Sequence, residues 1–275
     1  MKSNISMKYI MVCLISILLL IVFVFPILWM LSSSFKHSDD IFKFPPSLIP
    51  ANATLENFKY ILTSVPFPRY MFNSIFVAST LTAVALIFHS MAGFSFAILR
   101  FPGRSIIFSV IIATMMIPFT VRLIPLFIIV RALGWANTYF ALIIPPLFHA
   151  YGIFLFRQFY LTIPKDLKEA AIIDGCSFFK IWIKIYLPLS RPIIAVLGTI
   201  FFLVTYNDFI WPLVIINNPD LKVIQVGLAD FVAKRGTNWD IIIAGTAFAA
   251  IPTIIIFFFM QRQLVQGIKM TGLKG

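Results

Sequence analysis

The feature that most constrains this chain is a set of six long apolar runs separated by shorter polar segments. A helix needs ~20 apolar residues to cross the ~30 Å hydrocarbon core of a bilayer. Runs near or above that length occupy residues 9–31, 72–99, 106–130, 139–156, 192–211 and 241–259. Because 60% of the residues are hydrophobic and only 12% are charged, one or two soluble domains are not expected. The sequence predicts an all-α polytopic membrane protein with six transmembrane helices, folded as a single domain over 1–275.

The distribution of Lys and Arg predicts the orientation of these helices. With the N-terminus inside, the inner segments carry thirteen basic residues and the outer segments carry eight, one more lying within a span. Cytoplasmic loops are enriched in Lys and Arg, so both termini and the segment 157–191 are predicted to be cytoplasmic. The net charge of +12 is then explained by loops that lie against membrane lipid. Nucleic acid is not a predicted partner, since no soluble domain with interleaved aromatic residues accompanies the charge.

The motifs of catalysis are absent from the sequence. Neither a GxxxxGK[ST] phosphate loop nor a GxSxG nucleophile elbow occurs, so the chain is predicted to be non-catalytic and to hold no nucleotide. Transport against a concentration gradient would draw its energy from a partner protein or an ion gradient. His89 and His149 have no Cys, Asp or Glu at metal-ligand spacing, so they are interpreted as packing residues and no metal site is predicted.

The segment 157–191 is too charged for a span and too apolar for an ordinary linker. Pro164 suits the start of a helix, Gly175 a left-handed C-terminal cap and Ser177 an N-cap. These signals predict a helix–turn–helix, with a first helix over 165–174 and a second from Phe178 that ends at Pro188. Lys180 and Lys184 fall on one face of the second helix. The predicted opposite face is apolar and contains Phe179, Trp182, Ile183 and Tyr186. Such a hairpin either lies on the membrane without a partner or docks against a protein, and the pattern alone leaves both open.

A resemblance to a known family favours the docking interpretation. Glu169-Ala170-Ala171, three residues, Gly175, nine residues, Ile185, one residue and Leu187-Pro188 is similar to the EAA loop of ABC importer permeases. In that family the loop is a coupling helix that docks into a groove on a cytoplasmic ATPase dimer, which binds ATP and Mg. The resemblance assigns ATPase coupling to a set of seven residues. They are Glu169, Ala170, Ala171, Gly175, Ile185, Leu187 and Pro188.

The resemblance extends over nearly the whole chain and narrows to the carbohydrate-uptake branch. LENFKYIL at 55–62, MIPFTVRLIPLF at 116–127, NTYFALIIP at 137–145 and YNDFIWPL at 206–213 resemble the shorter permease of the maltose transporter and its relatives. This implies type I ABC importer architecture in a bacterial plasma membrane, a second permease subunit and an extracellular solute-binding protein. The tail QGIKMTGLKG at 266–275 resembles a C-terminus that reaches the ATPase interface, although it departs from the commoner GLTAGAVKG form.

Arg122, Asn207 and Asp208 are the candidate residues of the translocation path. Charges inside a membrane usually face protein or water, and both Arg122 and Asp208 lie ~24 Å along their predicted spans. Pro118 and Pro125 flank Arg122 and are predicted to break the helix there, as happens where backbone lines a cavity. Asp208 would either accept hydrogen bonds from solute or pair with Arg122. Each site has an alternative role as an interfacial anchor, with Trp211 in the aromatic belt.

The predicted function is therefore half of the translocation path for a sugar or oligosaccharide. One alternative is the same architecture with another polar solute, such as a glycerol phosphodiester. The other is an ion-coupled secondary transporter, which would normally show ionisable coupling residues at mid-membrane.

Overall fold

The computed structural model describes residues 7–234 and 238–272, with side chains described within 7–231 and 238–261. Throughout these ranges the regular structure is helical and no strand occurs, which confirms the all-α prediction. The α-helices, in chain order, are α1 (Met7–Ser33), α2 (Ser38–Ile41), α3 (Glu56–Ser64), α4 (Phe67–Ile98), α5 (Arg104–Ala113), α6 (Phe119–Ala132), α7 (Tyr139–Ile143), α8 (Ala150–Leu161), α9 (Lys165–Ile173), α10 (Phe178–Ile181), α11 (Leu187–Leu189), α12 (Arg191–Tyr206), α13 (Ile210–Ile215), α14 (Ile224–Lys234) and α15 (Trp239–Gly272). A π-helix at Trp182–Tyr186 joins α10 to α11, and 3₁₀ turns occupy Thr114–Met116, Pro145–Leu147 and Pro219–Leu221.

Three helices are long and apolar enough to cross a membrane without interruption, namely α1, α4 and the Trp239–Gln261 part of α15. Three bent pairs of helices pass the same test of length and composition when each pair is taken together. The bend is 104° between Arg104–Met116 and α6, 46° between Tyr139–Leu147 and α8, and 78° between Phe178–Leu189 and α12. Counting each pair as one span gives six within the described residues, which agrees with the predicted number.

The sharpest bend has a local cause in the sequence. A residue before proline is pushed out of the helical region by the proline ring, and Ile117 is extended, with φ −89° and ψ 111°, immediately before Pro118. The predicted break at Pro118 is therefore present. Pro125 lies inside α6 without ending it, so the prediction of a second break there was wrong.

The chain divides into two compact units, the first consisting of Met1–Pro68 and Gly227–Ile251. A polar cluster organises its first loop. The Asn57 amide donates to the carbonyls of Ser34 and Lys36, at 3.1 and 2.8 Å. Lys36, only 1% exposed, donates to the carbonyl of Ser47 at 2.5 Å and lies 4.5 Å from the Trp29 ring centroid. These contacts satisfy a buried ammonium that has left water.

The second unit consists of Arg69–Val226 and Pro252–Gly275 and has two hydrophobic cores, both of which include residues of α4. One contains Leu81, Phe94, Phe156, Tyr160, Ala171, Ile181, Trp182 and Tyr186. The other contains Val77, Val130, Leu142, Trp211, Ile215 and Val223. The first core therefore includes buried residues of the helix–turn–helix after α8. The second includes Trp211, which follows Asp208 by three residues. Both candidate sites predicted from the sequence lie in this unit.

Candidate functional site

The turn of the predicted coupling loop is built as its sequence indicates. Gly175 has φ +73°, the left-handed conformation that glycine adopts at no steric cost. The Gly175 amide donates to the Ile172 carbonyl at 3.0 Å, and the Cys176 amide donates to the Ala171 carbonyl at 2.9 Å. This is the Schellman arrangement, which satisfies the last carbonyls of α9. Ser177 caps the next helix by accepting from the Lys180 amide, so both predicted caps are present.

The second helix of the loop continues past its predicted end. Pro188 lies within the helical turn Leu187–Leu189 rather than after the helix. The preceding Trp182–Tyr186 stretch is a π-helix, and the Leu187 amide donates to the Trp182 carbonyl. A widened turn of this kind accommodates a residue that lacks an amide proton. The predicted end at Pro188 was wrong because local widening replaced termination.

The loop has one buried side and one open side. Ala171, Ile181, Trp182 and Tyr186 are between 0 and 6% exposed and belong to the first core. Glu169, Ala170 and Gly175 are exposed. Exposed apolar side chains accompany them, among which are Leu167, Ile172, Ile173, Phe178, Phe179 and Ile183. Phe179 and Ile183 were predicted to share the apolar face with Trp182 and Tyr186. The structure leaves both exposed and buries Ile181 beside Trp182 and Tyr186.

The seven coupling residues therefore differ in what they contact. Ala170 faces outward, whereas Ala171 is 6% exposed and packs into the core of its own chain. Ile185 and Leu187 are partly buried against that core, and Pro188 is exposed. Glu169, Ala170, Gly175 and Pro188 are thus the members of the motif that remain open to a partner.

Arg122 and Asp208 line the same cavity, which has a volume of about 280 Å³. Its wall is largely apolar, formed by residues such as Phe119, Leu142, Phe148, Val204 and Trp211. Ser74, His149 and Thr205 add polar groups to the lining. A mostly apolar hollow with a few converging polar groups is the usual composition of a small-molecule site, and the volume of this one lies just below the usual size range.

Asp208 also has a local structural partner. Its Oδ1 accepts from the Trp211 amide at 3.5 Å, at the start of α13. An acidic side chain in this position satisfies an amide that has no partner within the helix. No ion pair joins Asp208 to Arg122 among the residues that the structure describes, so the carboxylate is held by backbone and faces the cavity.

Asn207 and Trp211 have roles different from those considered for them. Asn207 is exposed and bonds the Leu203 carbonyl at 2.8 Å and the Gln225 amide at 3.2 Å, and it is not among the residues that line the cavity with Asp208. Trp211 is 1% exposed, and its indole donates to the Ala141 carbonyl at 2.8 Å. The aromatic-belt alternative for Trp211 is wrong, because the ring is packed inside the protein.

The sequence analysis missed one residue that lines the cavity and one that joins distant segments of the chain. His149, interpreted as a packing residue, lines the cavity. Asn73 donates to the carbonyls of Asp220 and Lys222, both at 2.9 Å, and accepts from the Tyr139 hydroxyl at 2.7 Å. It thereby holds the segment 218–222 against α4. This role follows from contacts between segments that are far apart in the sequence.

The tail 266–275, predicted to reach the ATPase interface, falls outside the residues whose side chains are described.

Comparisons with known proteins agree with this architecture. Residues 89–270 match the family described as binding-protein-dependent transport system inner membrane component. The arabinooligosaccharides transport system permease protein AraQ of Halalkalibacterium halodurans is 36% identical over 92% of this chain and 91% of that protein. The lactose transport system permease protein LacG of Rhizobium radiobacter is 32% identical over 89% of each. The sn-glycerol-3-phosphate transport system permease protein UgpE of Brucella abortus is 35% identical over 93% of this chain and 94% of that one.

A solved structure shares the fold. It is a bacterial ABC transporter involved in the import of the acidic polysaccharide alginate, which superimposes with a TM-score of 0.85 at 22% identity and covers 95% of this chain and 98% of its own. The bent spans, the half-buried helix–turn–helix and the family match over 89–270 lead to one conclusion. This chain belongs to the family of inner membrane components of binding-protein-dependent transport systems.

Proposed function

We propose that this chain is a permease subunit of a bacterial ATP-driven importer and forms half of the translocation path for a sugar or oligosaccharide. A second permease would form the other half, and an extracellular solute-binding protein would deliver the solute. An ATPase dimer that binds ATP and Mg would dock on the loop between α8 and α12, on the cytoplasmic side where both termini lie. The arabinooligosaccharide and lactose permeases among its relatives support a carbohydrate solute.

The observation that carries this proposal is the two-sided loop. Its inner side is anchored in the core through Ile181, Trp182 and Tyr186. Its outer side presents Glu169 together with apolar side chains such as Ile173, which is 86% exposed. An exposed apolar patch of this kind contacts either another protein or the membrane. The carboxylate at its edge favours a protein, because it offers a partner for a cation. The loop is fixed to the membrane helices and open to a soluble partner at the same time.

The experiment is a pull-down and uptake assay with loop variants. Glu169→Lys should abolish co-purification of the ATPase and uptake while the protein still inserts, because the charge offered to the partner is reversed. Gly175→Val should also abolish co-purification and uptake, because it distorts the turn of the loop. No atom lies within 4 Å of a Cβ placed at Gly175, so the cost is the strain of φ +73° in a β-branched residue, which changes the turn.

Glu56→Lys is the matched control, since Glu56 is an exposed acid in the first turn of α3, far in sequence from the loop. It should leave uptake unchanged. Normal uptake in Glu169→Lys and Gly175→Val at equal membrane abundance would remove the loop from the mechanism.

A phosphorylated polyol is the second candidate solute. Arg122 lines the cavity, an arginine fork suits phosphate oxygens, and a relative is a glycerol-3-phosphate permease. Uptake of labelled sn-glycerol 3-phosphate compared with labelled arabino-oligosaccharide by the same cells would distinguish the two. If neither is taken up, the solute belongs to another class.

A further inference from the structure

Four buried side chains form a continuous hydrogen-bonded chain beside the loop. The Trp182 indole donates to Ser90 Oγ at 2.9 Å. Ser90 Oγ lies 2.6 Å from Tyr160 Oη, which lies 3.1 Å from Ser190 Oγ. Ser190 Oγ donates to the Tyr186 carbonyl at 2.5 Å. The three hydroxyl residues are 0% exposed and Trp182 is 5% exposed, so water does not compete for these bonds.

Counting protons fixes the direction of every bond in this chain. An indole can only donate and a backbone carbonyl can only accept, while each hydroxyl has one proton to give. Because Ser190 gives its proton to the Tyr186 carbonyl, Tyr160 must donate to Ser190. Tyr160 then accepts from Ser90, which in turn accepts from Trp182. All donors point the same way, an arrangement in which each bond polarises and strengthens the next.

The hydrogen-bonded chain of side chains connects four parts of the fold and returns to the one in which it begins. It leaves the π-helix at Trp182, passes through Ser90 on α4 and Tyr160 at the end of α8, and reaches Ser190. It then returns to the π-helix at Tyr186. Ser190 lies at the 78° bend between Phe178–Leu189 and α12. The same residue also donates its amide to the Tyr186 carbonyl at 3.0 Å, so the bend is held by side chain and backbone together.

Close packing surrounds the hydrogen-bonded chain. The Tyr186 ring lies edge-on to Tyr160, with centroids 5.4 Å apart, and edge-on to Phe94 at 5.0 Å. Gly93 allows α4 and α8 to touch, because a Cβ there would lie 2.5 Å from the Phe156 Cβ and 2.9 Å from the Arg157 amide nitrogen. The hydroxyls therefore lie beside a close backbone contact between α4 and α8.

We propose that the Trp182–Ser90–Tyr160–Ser190 chain makes the second helix of the coupling loop, α4, α8 and the start of α12 move as one body when the ATPase moves the loop. Its members are positioning residues that act through the loop. This inference rests on the proposed function, since it requires ATPase docking. Loss of one hydroxyl leaves a buried donor and a buried acceptor unpaired, which is costly and frees the bend at Ser190 to change.

The test measures the distance between spin labels at Lys180 on the loop and Arg100 after α4, both exposed, in the purified complete transporter. Labels on encoded keto amino acids leave Cys13 and Cys176 untouched. In the parent protein the distance should be single and unchanged on adding ATP and Mg. In Tyr160→Phe, which keeps the ring, the distance should shift when ATP and Mg are added. Ser90→Ala should behave likewise if Tyr160→Phe does not assemble.

Tyr151→Phe is the control, because it makes the same change on the same helix at a residue that is 40% exposed. It should match the parent. A merely structural role for Tyr160 would lower the yield and melting temperature without making the label distance respond to ATP. An unchanged distance in Tyr160→Phe and Ser90→Ala, with and without ATP, would overturn the inference. Failure of the parent to co-purify with any ATPase would instead overturn the proposed function.

Discussion

At the residue scale, the position of a side chain relative to the core decides its role more than its type does. Ala170 and Ala171 are identical and adjacent, yet Ala170 is exposed and Ala171 is buried in its own chain. Asp208 likewise makes two kinds of contact, since its carboxylate accepts from the Trp211 amide in the first turn of α13 and the residue lines the same cavity as Arg122.

Substitutions of Asp208 can separate the effect of its hydrogen bond to the Trp211 amide from the effect of its charge. Asp208→Asn keeps an acceptor for the Trp211 amide, so assembly should be unchanged, whereas Asp208→Ala should lose about 1 kcal/mol of stability through the missing hydrogen bond to that amide. If the carboxylate binds solute, Asn should raise the apparent KM for uptake roughly 10-fold, as expected for a lost hydrogen bond to a charged group. Melting temperature and uptake kinetics measure the two effects.

Asp220→Asn is the matched control, because Asp220 is exposed and outside the set of residues that line the cavity. It should show the parent KM. If Asp208→Asn also shows the uptake kinetics of the parent, the carboxylate serves only to accept the hydrogen bond from the Trp211 amide.

At the element scale, helix ends and bends are set by local chemistry, whereas the closest approach between helices depends on single small residues at the contact. Gly175 gives α9 its C-terminal turn, and Pro118 gives the 104° bend. Gly93 and Gly152, by contrast, have no turn to make and instead allow neighbouring groups to approach. A Cβ at Gly152 would collide with the His89 ring and with Phe201.

Gly93→Ala therefore tests the contact between α4 and α8. The added methyl would overlap the Phe156 Cβ and the Arg157 backbone, and overpacking of this kind costs about 1–3 kcal/mol. The melting temperature of the purified protein should fall.

Gly198→Ala makes the same substitution within α12 at a place where the nearest atom is the end of the Leu86 side chain, at 3.4 Å. Because alanine is the better helix former by about 1 kcal/mol, this variant should be as stable as the parent or slightly more so. Equal melting temperatures for both variants would contradict the close contact.

At the scale of the whole molecule, the apolar surface defines the surroundings of the protein. None of the most apolar part of α1 is buried within the chain, and its side chains include Phe23 at 72% exposure. Water would make such a surface aggregate. Lipid or a partner subunit must cover it, which is consistent with an inner membrane component.

The energy source gives a prediction at this scale. Uptake by cells that carry the complete transporter should continue when proton and sodium gradients are collapsed while ATP is maintained, because the proposed motor is an ATPase. Depleting ATP while keeping the gradients should stop it. Labelled arabino-oligosaccharide is a suitable probe, and the opposite dependence would indicate an ion-coupled transporter.

Features that depend on neighbouring residues could be predicted from the sequence. Six apolar runs predicted six spans, since the length needed to cross a bilayer is a property of each segment. Gly175 and Ser177 gave the turn of the loop, because caps are satisfied within a few residues. The motif Glu169-Ala170-Ala171 indicated the family. Arg122 and Asp208 were identified as candidate site residues because charged side chains within a membrane are costly and usually face protein or water.

Helix packing settles the features that depend on residues far apart in the chain. It placed Arg122 and Asp208 in one cavity, turned Ala171 inward and left Phe179 outside. It brought Ser90 within hydrogen-bonding distance of Trp182 although 92 residues separate them. Periodicity describes which face of a helix is apolar, but the packing of other helices decides which of those residues are covered. The sequence thus specified the helices and the turn, and the contacts between helices specified the site.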